Sequence, residues 1–525
     1  MLNDVIGADT MSLAIHEVCI ILQLSSPRVC VGLIDQMKDT VNFIRLNTRL
    51  KATEVCGVLL GSQCFIGRSD NIFWKLDIPE PMLSQNSNYQ NMRSNSAVGV
   101  KTSQILHLTD IHLDLEYRSG SQIACNEPIC CRSLAMNDSP YNNTNNITNA
   151  GIWGSYPCDI PLRTVENAFT EMFKNTKHVD LWYWTGDIVA HDIWKYSKED
   201  NIRHMALLTK LLVQYSNGSR VVPVVGNHET VPVNCFPPPS IQNSYSISWL
   251  YDELAQHWAQ WLPKDAQQLL RYAGYYTYVV NKGFRVIVLN TNYCSRLNIW
   301  TYYDPVDPAN QLKWLIKELV IAESDGYRVH IVGHVPVDNR ECTQAWVYNY
   351  LAIVERFQHL IVGQFFGHTH ADEFRLLYSN HNISRPIGVQ ILSPSLTTFE
   401  QFNPSYRIIT VQQNGIISDI ETFFFNITDA NQLNGSSVRT PLWFYEYSMK
   451  NQYSITSFTA NQFNQLYNLI TSYEQYFNLF YSYYYRFSDY SVNNICNNQC
   501  RHKLLSDLIV INPYEKLPKS LLQRG

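Results

Sequence analysis

Val224-Val225-Gly226-Asn227-His228-Glu229 decides the fold: an apolar run ends in a glycine and then presents an amide, an imidazole and a carboxylate. Four further stretches have the same form. Leu106-His107-Leu108-Thr109 leads into Asp110-Ile111-His112, and residues 181–185 lead into Gly186-Asp187. Residues 329–332 lead into Gly333-His334, and Gln364-Phe365-Phe366 into Gly367-His368-Thr369-His370. Short apolar runs of this kind read as buried strands. In an open α/β sheet, ligands gather beyond the carboxyl ends of such strands. Five strand ends therefore aim Asp, Asn and His at one place.

The donor count says what that place holds. Asp110, His112, Asp187, Asn227, His334, His368 and His370 are too many for one four-coordinate zinc site. They suit two metal ions if the Asp187 carboxylate bridges them. Imidazole with oxygen donors favours zinc, with iron or manganese as alternatives. A metal pair about 3.5–4 Å apart polarises a phosphoryl group and generates hydroxide for in-line attack.

The order D-x-H, G-D, G-N-H-[DE], G-H, G-H-x-H resembles the calcineurin-like metallophosphoesterase superfamily. The words between the motifs are similar to the acid sphingomyelinase family over residues 19–505. They are the stretch 107–112, Cys125-Asn126-Glu127-Pro128-Ile129-Cys130-Cys131-Arg132, the stretch 183–192 and the stretch 365–370. The resemblance implies an α/β fold, a two-sheet sandwich flanked by helices. It adds a small all-α saposin-like N-terminal module and a helical C-terminal region. The implied activity is zinc-dependent hydrolysis of sphingomyelin to ceramide and phosphocholine by a metal-bridging hydroxide, with two Zn2+ per chain.

The same resemblance assigns Asp110, His112 and His370 to one ion and Asn227, His334 and His368 to the other, with Asp187 bridging. His191 and His228 remain as proton donors to the leaving alkoxide, since imidazole titrates in the range that transfer needs. Glu229 follows His228 and is placed to orient it. Positioning and surface roles are the alternative for both histidines. The disulfides implied are Cys125–Cys130, Cys131–Cys158, Cys294–Cys342 and Cys496–Cys500, which leaves Cys235 odd. Two positions depart from the family: Leu297 stands where it carries Glu, and Phe399 where it carries Tyr. Both bear on headgroup choice.

At 525 residues the chain has room for two or three domains, and a net charge of −5 offers no basic surface for nucleic acid. Among its apolar runs none reaches the roughly 18 residues of a membrane span. Thirteen cysteines, with the sequons at Asn142, Asn146, Asn217, Asn382, Asn426 and Asn434, favour an oxidising, glycosylating route. A secreted or lysosomal monomer acting at a membrane surface is expected. Residues 1–24 lack a basic n-region and do not read as a signal peptide.

Residues 1–78 form the expected helical module. Val31, Ile34, Met37, Val41 and Ile44 recur at helical spacing, followed by Leu50, Val55, Val58 and Leu59. Cys19, Cys30, Cys56 and Cys64 resemble the last four cysteines of a saposin fold. Cys19 and Cys30 still pair in this reading, whereas Cys56 and Cys64 lack their upstream partners and are expected as reactive thiols or bonded to each other. Residues 1–18 therefore read as a foreign beginning to a truncated module. A longer natural chain with a signal peptide and a C-x-x-C pair ahead of Cys19 is expected.

Residues 79–100 read as a linker, 101–425 as the catalytic domain and 426–525 as a helical C-terminal domain. Within 101–425 strands are expected near 104–109, 181–185, 221–225, 284–290, 329–333 and 363–367, alternating with helices over 162–177, 202–215, 307–324 and 344–360. Asn414-Gly415 marks a hairpin joining 406–411 to 416–425, assigned to the second sheet. Phe463, Leu466, Ile470, Tyr473, Phe477, Phe480 and Tyr484 predict one amphipathic helix. Two other functions stay open: cleavage of soluble nucleotide-type phosphodiesters, and a non-catalytic lipid-binding protein.

Overall fold

The computed structural model describes residues 16–22, 25–60, 69, 72–81, 101–132, 149–175, 179–434 and 437–515. Cys64, Asn142 and Asn146 lie outside these residues. Two sheets face each other. The first contains β1 (Thr102–Leu108), β2 (Val179–Trp184), β3 (Arg220–Pro223), and the hairpin of β10 (Ser405–Gln412) and β11 (Ile417–Phe424). Phe444–Ser448 forms its edge, in the order Phe444–Ser448, β11, β10, β1, β2, β3. The second holds β4 (Tyr276–Asn281), β5 (Phe284–Val288), β6 (Arg328–Val332), β7 (Ile361–Phe366), β8 (Glu373–Ser379) and β9 (Asn382–Leu392). Its order is Ile509–Val510, β8, β9, β7, β6, β5, β4.

β1, β2 and β3 run parallel, as do β5, β6 and β7. The two parallel triplets therefore belong to different sheets and end at the same rim. The hairpin is a correction: β10 pairs antiparallel with β1, so it extends the first sheet instead of building the second. Register fits the pairing, since Ile105 and Leu106 lie opposite Ile409 and Ile408 and continue the apolar pattern across both strands.

Helices cover the outer faces. Leu162–Asn175 buries Val165, Ala168, Phe169 and Met172, one stripe of a 3.6-residue repeat. Burying a side chain of Phe169's type contributes about 1.5–3 kcal/mol. Within the largely apolar interior one polar seam joins the two sheets. The hydroxyl of Tyr183 on β2 meets His330 Nδ1 on β6 at 2.8 Å, and His330 Nε2 donates to Gly415 O at 2.7 Å. Burial pushes His330 down to about 3, so the ring is neutral and links the sheets with one acceptor and one donor.

Three further details differ from expectation. The helix expected from residue 307 begins later: Pro308–Asn310 is a tight turn, and Gln311–Asp325 is the α-helix. Asp307 still caps it, accepting from the backbone N–H groups of Leu312 and Lys313 at 2.8 and 3.1 Å. The aromatic stripe is two helices, Ala460–Ser472 and Glu474–Tyr484, because Tyr473 is extended and exposed at the break. The C-terminal helices are also not alone, since Phe444–Ser448 and Ile509–Val510 each pair with a sheet.

Near the N-terminus, Pro27–Asn47 is a helix capped by Ser26 and opened by a proline, and Ala52–Leu60 is a second. The first buries Val29, Cys30, Thr40 and Ile44, while Val31 faces solvent. The docking side is set by the loops that receive it. Ile44 and Leu50 pack with Trp300, Tyr302 and Ile241, and Gln36 Nε2 donates to Tyr196 O at 2.8 Å. Cys19 pairs with Cys30. Cys56, expected as a reactive thiol or as bonded to Cys64, is disulfide-bonded, so this end of the helix pair carries a covalent tie.

Candidate metal centre

The seven donors converge at the shared rim of the two sheets. Asp110 and His112 follow β1, Asp187 follows β2, and Asn227 follows β3; His334 follows β6, and His368 and His370 follow β7. All are buried except His368, which is partly exposed. Five of them, Asp110, His112, Asp187, His368 and His370, have positive φ between 43° and 74°. Each such non-glycine residue stores about 1–3 kcal/mol of strain, a cost that persists only where the surroundings over-determine it.

Glycines make the convergence sterically feasible. A Cβ on Gly226 would stand 2.2 Å from Asp187 Oδ1, and one on Gly367 2.1 Å from Thr109 Oγ1. Thr109 in turn donates to Asp110 Oδ2 at 2.6 Å, and the His368 backbone N–H donates to the same oxygen at 2.9 Å.

The geometry falls into two clusters. Asp110, His112 and His370 form one, with His370 Nε2 3.2 Å from His112 Nε2 and 3.6 Å from Asp110 Oδ1. Asp187, His334 and His368 form the other, and Asn227 Oδ1 lies 2.9 Å from both His334 Nε2 and His368 Nδ1. Asp187 Oδ2 stands between them, 3.4 Å from His112 Nε2 and 3.1 Å from His334 Nε2.

This donor set fits cations. His112 Nδ1 donates to Val189 O at 2.7 Å and His334 Nδ1 to Thr185 O at 2.6 Å, which leaves both Nε2 atoms as lone pairs. His334 Nε2, His368 Nδ1 and the Asn227 oxygen then face one another as acceptors, an arrangement that needs positive charge among them. Asp110 and Asp187 are fully buried, and among the described residues their ion-pair partners are histidines alone, never Lys or Arg. Burial disfavours the His334 imidazolium, yet the Asp187 carboxylate outweighs it and lifts the group to about 10. The Asp187 carboxylate thus favours positive charge at His112 and His334, a place that metal ions would take.

Two histidines sit beside the donors. His191 stacks on His112 at 3.9 Å and carries Phe399 on its other face at 4.2 Å. Its Nδ1 lies 3.0 Å from both oxygens of Asp159, and its backbone N–H donates to Asp159 Oδ2 at 2.7 Å. Burial alone would raise the Asp159 carboxyl, but the facing His191 charge holds it near 2. His228 is oriented differently from expectation. Its Nδ1 meets Tyr196 OH at 2.8 Å, while Glu229 turns inward and accepts the Ile188 N–H at 2.6 Å. Glu229 is held through Oε1 by the backbone after Asp187, and it is Tyr196 that meets the ring. Burial drives His228 well below the ordinary imidazole range.

The other expected positions fall away from the centre or flank it. Leu297 is exposed, and Phe399 borders His191. The structure pairs Cys125–Cys130, Cys131–Cys158, Cys294–Cys342 and Cys496–Cys500, and Cys235 is free and buried. Asn217 and Asn382 are exposed; Asn426 is partly buried and caps the turn Ile427–Ala430. Asp159, Tyr196 and Glu341, which touch the site histidines, carry no local sequence motif.

The calcineurin-like phosphoesterase family profile matches residues 103–372. A Bos taurus sphingomyelin phosphodiesterase is 37% identical over 92% of this chain and 76% of its own length. The Homo sapiens sphingomyelin phosphodiesterase is 36% identical over 92% of this chain and 75% of its own length. A Mus musculus acid sphingomyelinase-like phosphodiesterase 3b is 28% identical over 79% of this chain and 90% of its own.

Proposed function

The chain belongs to the acid sphingomyelinase family of calcineurin-like phosphoesterases, and on that premise we propose that it hydrolyses sphingomyelin to ceramide and phosphocholine as a zinc-dependent phosphodiesterase. The observation that carries this reading is the meeting of seven donors from two sheets around carboxylates that, among the described residues, no Lys or Arg neutralises. Asp110, His112 and His370 would hold one ion and Asn227, His334 and His368 the other, with Asp187 shared. When bound, such a pair supplies Lewis-acid polarisation of the phosphoryl group and lowers the pKa of water.

The residues of the chain do the rest. Tyr196 donates its hydroxyl proton to Ala190 O, so its oxygen accepts the His228 Nδ1–H and leaves His228 Nε2 as an acceptor. A buried ring with a neutral partner resists charge, and its Nε2 lone pair suits accepting a hydrogen bond from a water at the site, since a phosphodiester offers only acceptors. His191 has an anionic partner, Asp159, which suits an imidazolium whose Nε2–H protonates the leaving alkoxide. His191 is thus the acid in this reading and His228 the positioning base. Five disulfides among the described residues favour an oxidising compartment, secreted or lysosomal. The docked helices Pro27–Asn47 and Ala52–Leu60 would present lipid beside the site.

A second substrate class is left open by the replacements at Leu297 and Phe399: soluble nucleotide-type phosphodiesters. Assaying the purified protein on labelled sphingomyelin and on a nucleotide phosphodiester, with and without zinc, separates the two. Sphingomyelin turnover that zinc restores after chelation is expected. A higher kcat/KM on the nucleotide substrate would reassign the enzyme.

A further inference from the structure

Four of the seven donors are histidines, and the groups that fix their rings differ in kind. His112 and His334 each donate Nδ1–H to a neutral backbone carbonyl, Val189 O and Thr185 O. Among the described residues His370 Nδ1 has no hydrogen-bond partner, and the exposed Glu400 carboxylate stands 3.8 Å away. At the ring nitrogen turned away from the donor cluster, His368 alone of the four meets an anion within hydrogen-bond reach. Its Nε2 faces Glu341 Oε2 at 3.4 Å, while its Nδ1 faces the Asn227 oxygen at 2.9 Å.

The segment that carries Glu341 is braced on every side. Asp338 Oδ1 accepts the backbone N–H groups of Arg340 and Glu341, each at 2.8 Å, and Asp338 Oδ2 accepts from buried Arg375 at 3.0 Å. Glu341 O accepts the Arg296 N–H at 2.9 Å. The Arg296 guanidinium reaches Cys342 O at 2.9 Å and Asn339 O at 2.6 Å, beside the Cys294–Cys342 disulfide. The Glu341 side chain is only 21% exposed. So much local structure serves to hold one carboxylate against one ring.

We propose that Glu341 is the positioning residue for His368, fixing its Nε2–H tautomer so that the Nδ1 lone pair, made more basic by the anion, serves the metal site built on Asn227 and His334. The inference rests on the metal-dependent reading above. A carboxylate behind a ligating imidazole sets tautomer and ring orientation and raises donor strength, and removing such a group costs about 10–100-fold in metal affinity. The effect falls on one of two ions, because His368 belongs to one cluster.

The test is a chelator titration of the zinc-loaded full chain, with bound metal counted per chain, for wild type, Glu341→Gln and Glu341→Ala. Glu341→Ala should release one equivalent at about 10–100-fold less chelator, with the second equivalent leaving as in wild type. Glu341→Gln keeps an acceptor without the charge and should fall between. Thermal midpoints of the metal-free proteins supply the control. Release of both ions at the wild-type chelator concentration from both variants overturns the proposal. So does a metal-free Glu341→Ala that melts as far below metal-free wild type as the loaded forms differ, since Glu341 would then be structural. Wild type that holds no metal pair would instead overturn the reading beneath it.

Discussion

Replacing Asp159 by Asn should slow the enzyme in a way that depends on the leaving group. Asp159 is fully buried and makes four contacts: His191 N–H, both oxygens toward His191 Nδ1, and Thr397 Oγ1 at 2.9 Å. Asn keeps shape and one acceptor, so the loop stays in place, but the anion that favours an imidazolium is gone. A hydrogen bond to a charged group contributes about 1.5–3 kcal/mol, and about 1.36 kcal/mol is tenfold in rate. The expected loss in kcat on sphingomyelin is therefore about 10–150-fold, inside the roughly 10²–10⁴-fold that general acid catalysis supplies. The departing ceramide alkoxide needs a proton, whereas nitrophenolate does not. Assayed on bis(p-nitrophenyl) phosphate, Asp159→Asn should lose no more than a few-fold. The double variant with His191→Ala should be no slower than His191→Ala alone, because both remove one device. Equal losses on the two substrates, or losses that multiply in the double variant, would refute the assignment of His191 as acid.

Asp187→Ala and Asn227→Ala should abolish turnover and lower bound metal, while His191→Ala and His228→Ala keep about two equivalents per chain; metal analysis of the purified variants decides. Gly226→Ala should also cost metal, since its Cβ would stand 2.2 Å from Asp187 Oδ1 and 2.3 Å from Asp187 N; wild-type metal content in a folded Gly226→Ala would contradict the packing described. Glu446 is the clearest acid–base liability outside the centre: both carboxylate oxygens are buried and, among the described residues, have no hydrogen-bond partner. Burial, reinforced by the Asp372 charge, holds its pKa well above the ordinary value despite Arg486 and Arg407. A carboxyl raised on folding favours the fold below its unfolded pKa and loses that contribution as pH rises. Glu446→Gln should therefore raise the thermal midpoint at pH 7 and leave it nearly unchanged at pH 4; equal shifts at both would exclude the titration of this group.

The donors of the centre were legible because each stands directly after an apolar run, where strand geometry leaves only one place for its side chain to go. Which sheet each run joins was not. β1–β3 and β5–β7 have the same pattern, and sheet membership is set by pairing with distant partners, as β10 with β1. For the same reason the hairpin was assigned to the wrong sheet although its turn was read correctly. Asp159, Tyr196 and Glu341 stayed invisible because a side-chain partner 32, 32 and 27 residues away leaves no local mark. His228 shows the hazard of the shortcut, since its sequence neighbour Glu229 is committed to Ile188 N–H and Tyr196 takes the ring.

What no motif could show is the backbone that carries the motif. Five ligand-type residues sit at positive φ without being glycine, and isolated turns of that kind would relax. They cannot relax here because their backbones are tied into the strand ends behind them. The N–H groups of Ile111 and His112 both donate to Asp187 O, Asp110 N–H to Gly186 O, and Gly367 N–H to His334 O. Those bonds run between the first, second, fourth and fifth donor loops, so each turn holds another in its strained form. The His330 seam and the apolar interior then fix the two sheets against each other, and the two halves of the centre with them. A site assembled this way has its donor spacing set before any ion arrives. The strain is the cost of placing acceptor groups face to face, and the cation that they await is what would make that arrangement favourable.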